Sequence, residues 1–305
     1  MKSTAVDPGP GTATLFLTAS LIWGSTWLAI KYQLGVVPPE ISVVYRFGAA
    51  GALLLAWCIA TRRTLRFPPR HHGFLALQGA LLFGFNYVAV YLAEQYVTSG
   101  LVAVLFSTIV FMNPIGMRIV YRTPLSARTF VAATLGVAGV ALLFLPELAA
   151  ARNGGDAALG IIYALGGTAL ACGGNVAAIR NQRDGIPILS GTAWAMLYGA
   201  VAAAVAAILQ GLAWTFDART AYLLSFAYLV LAGSIAAFGA YLTLLRKIGA
   251  GPSAFVGVAT PVVALTLSTV LEGYRWTGVA ALGVVLAVIG NVIALWPAKP
   301  RQRSG

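Results

Sequence analysis

The stretch Trp23-Gly24-Ser25-Thr26-Trp27-Leu28-Ala29-Ile30-Lys31 lies in the first long apolar segment of the chain. A related stretch, Cys172-Gly173-Gly174-Asn175-Val176-Ala177-Ala178-Ile179-Arg180, follows 149 residues later, with glycine, alanine, isoleucine and a terminal cation in register. An internal repeat has to be recognised first, because missing it misassigns the whole fold. The match predicts that the chain is built from two related halves.

The composition around this repeat is that of a membrane protein. Of the 305 residues, 59% are hydrophobic and 9% are charged, and the mean hydropathy is +0.85. A soluble domain carries about 25% charged residues, so this chain could not cover a surface that faces water. The lipid bilayer is therefore an expected partner. The net charge of +12 comes from cations in loops, so we predict no binding to nucleic acid.

Ten segments of the chain are long and apolar enough to be read as membrane spans, which need about 20 residues each. The fold class predicted from them is an all-α integral membrane protein with ten transmembrane helices. The predicted spans are Ala13–Tyr32, Pro39–Ala60, Gly73–Ala93, Thr98–Val120, Leu125–Leu145, Ala158–Ile179, Ile188–Leu212, Ala221–Leu245, Gly251–Leu271 and Trp276–Trp296.

Positive charge is distributed unevenly between the two sides of this arrangement. The side that holds both termini carries fifteen Lys and Arg residues, whereas the opposite side carries four. Lys and Arg accumulate in cytoplasmic loops. We therefore predict that both termini are cytoplasmic, and that the protein is a multi-pass protein of the cell inner membrane.

Prolines repeat at nearly the same spacing as the opening stretch. Pro39 and Pro187 each begin an apolar segment, and Pro114 and Pro261 lie inside later ones, 147 residues apart. Each half has five spans, and an odd number makes the second half enter the membrane from the opposite side. The sequence therefore predicts two inverted five-helix repeats, an arrangement typical of secondary transporters. The predicted units are a disordered tail (1–12), the first repeat (13–146), the second repeat (157–297) and a basic tail (298–305).

Several of these residues together resemble a known family. They are Trp23-Gly24-Ser25 with Lys31, Arg46, Asn113-Pro114, and Pro261 with Glu272. Over about residues 13–296 the chain resembles the drug/metabolite transporter superfamily in its ten-helix EamA-type form, and within it the YddG-type aromatic amino acid exporters. The resemblance implies export of amino acids and related metabolites through a central cavity between helices 1, 3 and 4 and helices 6, 8 and 9. Cys172-Gly173-Gly174 departs from the first motif, so exact symmetry of the cavity does not follow.

Pro114 and Pro261 are candidate hinge residues. Proline inside a helix removes one hydrogen bond and frees a carbonyl one turn earlier. Interrupted segments at corresponding positions of two halves mark the substrate site of many transporters. The alternative is a kink that is tolerated because a neighbouring helix packs against it.

Trp23 lies in the middle of the first span, where its ring is either part of the cavity wall or bulk that faces lipid. Gly24 lies four residues after Ser20, and Gly173 lies four residues after Ala169. Small residues at this spacing let helices approach closely in membranes. We therefore predict that Gly24 and Gly173 are packing residues.

The remaining candidates for the substrate cavity are aromatic and polar side chains within the spans. Aromatic walls with a few polar groups suit an amphipathic solute, although hydrogen bonding between helices would explain the same residues. They are Asn86, Tyr87, Tyr91, Ser107, Asn113, Asn175, Phe238 and Tyr241.

Arg46 is the cation placed well inside a span, about 10 Å from the end of the second helix. Ionisable residues at such depth are costly and usually functional. Arg46 could extend outward to water, pair with Glu40 or with helix-end carbonyls, or bind the carboxylate of a substrate. We favour a structural role, because the resemblance places the second helix at the periphery.

The residues that are missing from the spans also carry information. The acidic residues nearest to the bilayer, Glu40, Glu94 and Glu272, fall at predicted helix ends. Proton-coupled carriers use embedded acidic or histidine relays, so we expect facilitated diffusion or exchange instead. No cofactor, metal site or catalytic residue is predicted, and a membrane-embedded enzyme on lipid-linked substrates is a remote alternative. We expect a transporter of a small-molecule substrate that can work as a monomer.

Overall fold

The computed structural model describes residues 10–151, 156–248, 253 and 255–295, and each element within them is helical. Residues 1–9 of the predicted N-terminal tail and all of the predicted C-terminal tail lie outside this part of the chain. The helices are α1 (Pro10–Lys31), α2 (Pro39–Ala60), α3 (Pro69–Ala93), α4 (Ser99–Tyr121), α5 (Ala127–Ala151), α6 (Ala157–Arg183), α7 (Ile188–Leu209), α8 (220–248), α9 (Val256–Leu271) and α10 (Gly278–Leu295).

Seven of these helices are long and apolar enough to cross a membrane, namely α1, α2, α3, α4, α6, α7 and α8. Three shorter apolar helices accompany them: Ala127–Leu143, Val256–Leu271 and Gly278–Ala294. The prediction of a helical membrane protein is therefore confirmed. The count of ten spans stays a prediction, because among the described residues seven helices meet both the length and the hydropathy that a span needs.

Prolines and left-handed residues set the helix boundaries. Pro39 and Pro69 each occupy the first turn of their helix, where the missing N–H has no partner to lose. Turns after helices need a residue with positive φ. Among the described residues such φ angles occur at pairs of positions 149 to 151 residues apart: Gly35 and Gly185, Arg62 and Gly211, Arg122 and Gly273.

Four helices depart from regular α geometry, either inside the span or just before it. The middle of α3, Ala80–Phe85, is π-helical, and so is the middle of α8, Leu229–Ala236. A turn at residues 107–108 divides α4 into Ser99–Phe106 and Ile109–Tyr121. A turn at Phe255 precedes α9. Such π segments are rare and are frequently found at functional sites.

The helices pack in pairs that mirror one another in the two halves. α2 packs on α7 and α5 packs on α10, while α1 contacts α8 and α9 as α6 contacts α3 and α4. Glycines bring the backbones of α5 and α10 together, because a Cβ on Gly139 would lie 2.5 Å from the backbone nitrogen of Ala287. Close approach through small residues is the usual way in which helices associate in lipid.

Candidate functional site

Two amide side chains meet between α4 and α6. Asn175 on α6 donates a hydrogen bond from Nδ2 to Oδ1 of Asn113 on α4, at 3.3 Å. Both residues line a cavity of about 240 Å³. This volume lies just below the roughly 300–1,000 Å³ that is usual for small-molecule pockets. The other lining residues are Met117, Val176, Ala178, Ile179 and Gln182.

The two predicted hinge prolines lie at equivalent distances from a break in their helices. Pro114 follows the turn at residues 107–108 by six residues, and Pro261 follows the turn at Phe255 by six residues. Ser107 lies within the first turn, and its hydroxyl donates to the carbonyl of Val104 at 2.7 Å. Ser107 therefore satisfies its own helix at the break, whereas Asn113 reaches the cavity.

An aromatic cluster joins α1 to α8. The ring centroid of Trp23 lies 5.2 Å from those of Phe238 and Tyr241, and all three side chains are partly buried. Trp23 Nε1 donates to the carbonyl of Gly233 at 3.1 Å, within the π segment of α8. A Cβ on Gly233 would lie 2.8 Å from the side chain of Thr26. The cluster (Trp23, Phe238 and Tyr241) is thus anchored to a close contact between α1 and α8.

Tyr87 and Tyr91 on α3 face α1 and α2 rather than the aromatic cluster. The ring of Tyr87 lies 4.6 Å from that of Phe47. The hydroxyl of Tyr91, which is fully buried, donates to Oε1 of Gln33 at 2.7 Å. Gln33 follows α1 and is also fully buried, so the pair ties α3 to the end of α1.

Asn86 faces α6. Its Nδ2 donates to the carbonyl of Leu82 at 3.0 Å, and its Oδ1 has no hydrogen-bond partner among the described residues. That oxygen would lie 3.4 Å from a Cβ built on Gly167 of α6. The predicted polar residues of α3 are therefore divided between two contacts, one with α6 and one with α1 and α2.

Both predicted packing glycines lie at helix contacts. A Cβ on Gly24 would lie 2.5 Å from the side chain of Val263 on α9. A Cβ on Gly173 would lie 3.2 Å from its nearest neighbour on α3, which is a milder restriction. The neighbouring Gly174 is tighter, because its Cβ would lie 2.6 Å from that of Leu82 in the π segment of α3.

A cluster of charged and polar residues joins the start of α4 to the end of α9, at the opposite end of α4 from the cavity. Glu272, which follows α9, accepts hydrogen bonds from the hydroxyl and the N–H of Ser99 at the start of α4, the latter at 3.1 Å. Lys31 Nζ lies 3.9 Å from the same carboxylate and donates to the carbonyl of Glu94 at 2.7 Å. We call these four residues the Glu272 cluster; they hold the ends of α1, α3, α4 and α9 together.

Arg46 neither extends to solvent nor pairs with Glu40. Its side chain is 2% exposed, and no ion pair found among the described residues includes it. The guanidinium lies over the rings of Phe47 and Tyr87, with Cζ 5.0 Å and 4.7 Å from their centroids. α2 is thus less peripheral at this level than the resemblance implied.

Sequence reasoning missed several of these features. No pattern of residues predicts a π segment. Glu94 is 0% exposed, and its burial depends on how helices distant in the sequence pack around it. The contact of Ser99 with Glu272 joins positions 173 residues apart. The one available signal was compositional: Lys31, Glu94 and Glu272 are charged residues at three helix ends on the same predicted side.

A bundle of long apolar helices, with two amides meeting between α4 and α6 and aromatic rings packed between α1 and α8, is that of a multi-pass membrane protein. The chain belongs to the EamA-like transporter family, whose sequence profile matches residues 11–145 and again residues 158–296.

Relatives and a solved structure agree with this placement. The "Uncharacterized inner membrane transporter YedA" of Escherichia coli K12 is 30% identical over 294 residues, which cover 92% of this chain and 90% of the relative. The protein PagO of Salmonella typhimurium is 33% identical over 93 residues, 30% of this chain and 31% of its own. One crystal structure superposes with a TM-score of 0.63 at 21% identity, covering 93% of this chain and 96% of that one, and so shows the same fold.

Proposed function

We propose that the protein is a secondary transporter that exports small amphipathic metabolites, amino acids and aromatic amino acids among them, across the inner membrane by alternating access, without catalysing a reaction. One observation carries the proposal. The bundle has a cavity between α4 and α6 at one end, whereas the Glu272 cluster closes it at the other. A bundle that is open on one side and closed by a few breakable contacts on the other is what alternating access requires.

We propose further that the two halves, 13–146 and 157–297, are inverted repeats. Support comes from the paired left-handed turns and from the π segments, which begin 149 residues apart at Ala80 and Leu229. The mirrored contacts of α1 and α6 agree with the same relation. A substrate path then lies between the repeats, where transporters of this kind bind their solutes.

The proposed orientation makes the cavity cytoplasmic. It lies towards Met117 and Gln182, near the ends of α4 and α6 that lead into the basic loops. The Glu272 cluster then lies on the outer side. In the state described here, the transporter would accept solute from the cytoplasm and be closed to the outside, as an exporter needs.

The chemistry of the interior favours an amphipathic solute. The aromatic cluster on α1 and α8 offers flat apolar surface, and the amides of Asn113 and Asn175 offer both donors and acceptors. Pockets of this composition orient ligands that have one apolar and one polar part. Amino acids with large side chains have this form, and the YddG-type resemblance points to the same class.

Counterflow in proteoliposomes tests the proposal. Vesicles preloaded with one unlabelled amino acid are given radiolabelled L-phenylalanine outside, with and without a pH gradient. We expect saturable exchange that is insensitive to pH. Asn175→Leu, which fills the cavity, should slow exchange at least about tenfold, whereas Thr266→Leu on the exposed face of α9 should not. Absence of saturable flux for every amino acid would refute the substrate, and flux driven by the pH gradient would refute uncoupled exchange.

A further inference from the structure

Arg46 has unused hydrogen-bonding capacity inside the bundle. Its side chain is 2% exposed, yet Nε and Nη1 have no hydrogen-bond partner among the described residues. The aromatic rings beneath it interact with its charge but accept no conventional hydrogen bond. Buried polar groups without partners are rare in native proteins, and each one calls for an explanation. An anion that arrives from outside the protein would supply the missing acceptors.

In the part of the chain that the structure describes, Glu94 has buried acceptors without donors, whereas Arg46 has buried donors without acceptors. It follows the last residue of α3, it is 0% exposed, and neither of its carboxylate oxygens has a hydrogen-bond partner among the described residues. The nearest cation, Lys31, is directed elsewhere: Nζ donates to the backbone carbonyl of Glu94 and lies 3.9 Å from the carboxylate of Glu272. The Glu94 side chain is therefore a buried acceptor whose donor is missing.

Arg46 and Glu94 are connected by one face of α3. Tyr87, Tyr91 and Glu94 are spaced four and three residues apart, which places them on one side of a helix. Arg46 stacks on Tyr87 from α2, and its charge acts on both Tyr91 and Glu94. Helical side chains tilt towards the N-terminus, so that of Glu94 leans back towards the level of Tyr91. Two donors of Arg46 and the two carboxyl oxygens of Glu94, unpaired within the described residues, therefore lie near the buried hydroxyl of Tyr91, which the Arg46 side chain also contacts.

The same region adjoins the aromatic cluster through Gly233. Nη2 of Arg46 would lie 3.8 Å from a Cβ on Gly233, and the carbonyl of Gly233 accepts the hydrogen bond of Trp23. One glycine thus separates the guanidinium from the rings of Trp23, Phe238 and Tyr241. A molecule that lies across this glycine would place its charged end at Arg46 and its apolar end among the rings.

We propose that Arg46 and Glu94 form the head-group site for zwitterionic α-amino acids, Arg46 binding the carboxylate and Glu94 the ammonium group, with the side chain of the solute directed to the aromatic cluster. This inference rests on the proposed transport function and names the residues that would recognise its substrate. In the state described here the side chains of Arg46 and Glu94 are both buried, so the solute reaches them as the bundle rearranges. A guanidinium also offers a carboxylate more donors than the ammonium group of a lysine would.

The proposed site should select ligands by their charge. A zwitterion supplies partners to both buried groups, whereas an amine or an acid with the same phenyl ring leaves one of them unpaired. An unpaired buried group opposes binding strongly, which is how polar sites reject close analogues. L-phenylalanine should therefore bind at least tenfold more tightly than phenethylamine or 3-phenylpropionate.

Binding measured on the purified full chain tests the assignment by its charge selectivity. Intrinsic fluorescence titrations with L-phenylalanine, phenethylamine and 3-phenylpropionate are made on the wild type, Arg46→Gln and Glu94→Gln. Arg46→Gln should lose the preference for L-phenylalanine over phenethylamine and keep its preference over 3-phenylpropionate, while Glu94→Gln should do the reverse. Arg46→Lys keeps the charge and should retain part of the preference.

Exposed residues provide matched controls. Arg66→Gln and Asp156→Asn remove the same charges from exposed positions and should leave all three affinities unchanged. The assignment would be overturned if Arg46→Gln and Glu94→Gln weakened the binding of all three ligands to the same extent, or if the order of the three affinities stayed as in the wild type. Counterflow of L-phenylalanine by the wild type separates the two proposals: flux with unchanged charge selectivity in the variants refutes the head-group site alone, and no amino acid flux refutes the transport proposal.

Discussion

Glu272→Gln should open the side of the protein that the Glu272 cluster closes. The carboxylate accepts two hydrogen bonds from Ser99 and lies 3.9 Å from Lys31, so one side chain links α9 to α4 and α1. The amide keeps nearly the same shape and can still accept from the Ser99 hydroxyl. It removes the negative charge and replaces one acceptor oxygen with an NH2 group, while it changes the packing less than a truncation would.

The expected effect follows from the kinds of bond involved. Hydrogen bonds to charged groups contribute about 1.5–3 kcal/mol each, and neutral ones contribute about 0.5–1.5 kcal/mol. Neutralising an acceptor of two bonds therefore weakens closure by about 2–3 kcal/mol. The pair with Lys31, whose side chain is 38% exposed, adds at most about 1 kcal/mol because solvent screens it. Since about 1.4 kcal/mol is a factor of ten, the population of the opened form should rise about 30- to 700-fold.

Accessibility of an introduced cysteine measures this shift. Ala29→Cys places a thiol in the buried part of α1, and the two native cysteines, Cys58 and Cys172, are buried and provide the background. In oriented vesicles, a membrane-impermeant maleimide added from the outer side should label this position at least tenfold faster when Glu272→Gln is present. Asp217→Asn is the matched control, because it removes a carboxylate that pairs with Arg219 instead. Equal labelling rates for Glu272→Gln and its parent would refute the reasoning.

Three further outcomes are expected. Gly233→Ala would bring a methyl group to 2.8 Å from the side chain of Thr26, so it should lower stability by about 1–3 kcal/mol and the apparent unfolding temperature by several degrees. Trp23→Phe keeps a ring but loses the donor to Gly233, and a loss of about 0.5–1.5 kcal/mol should appear in the same thermal assay. The hydrogen bonds from Arg219 hold the pKa of Asp217 below its ordinary value, so Asp217→Asn should lower the unfolding temperature at neutral pH. Because a lowered pKa stabilises the folded state only above that range, the difference from the wild type should shrink as the pH falls below about 4.

The positions of the long apolar helices could be predicted because hydrophobic length acts locally. The start of α2 at Pro39 and the end of α3 at Ala93 agree with the predicted spans, since proline and polar residues limit a helix wherever it packs. The predicted start of α3 at Gly73 was four residues late: Pro69 suits a first turn, and the polar residues that follow it remain helical. Local composition does not distinguish such polar helix ends from loops.

The candidate site was less predictable because its contacts depend on how distant helices meet. Asn113 and Asn175 were chosen as buried amides, and the structure brings them together, but nothing in either segment indicates that they face each other. Tyr91 was chosen as a ring for the cavity wall, whereas its hydroxyl is held by Gln33 across a helix boundary. The π segment that carries Gly233 depends on the whole bundle and has no signature in its own residues.

The proposed repeat also explains why the two sides of the bundle differ. In an inverted repeat, residues about 149 positions apart occupy corresponding places on opposite sides of the membrane. The positions 149 residues from Ser99 and Glu272 are then Ile248 and Thr123, and neither of these residues carries a carboxylate. The proposed symmetry would supply two states of similar shape, but the contact between Ser99 and Glu272 has no counterpart between Ile248 and Thr123. That difference in contact energy would favour the state that is closed at the Glu272 cluster and open at the amide-lined cavity, which is the resting state that the proposed export function requires.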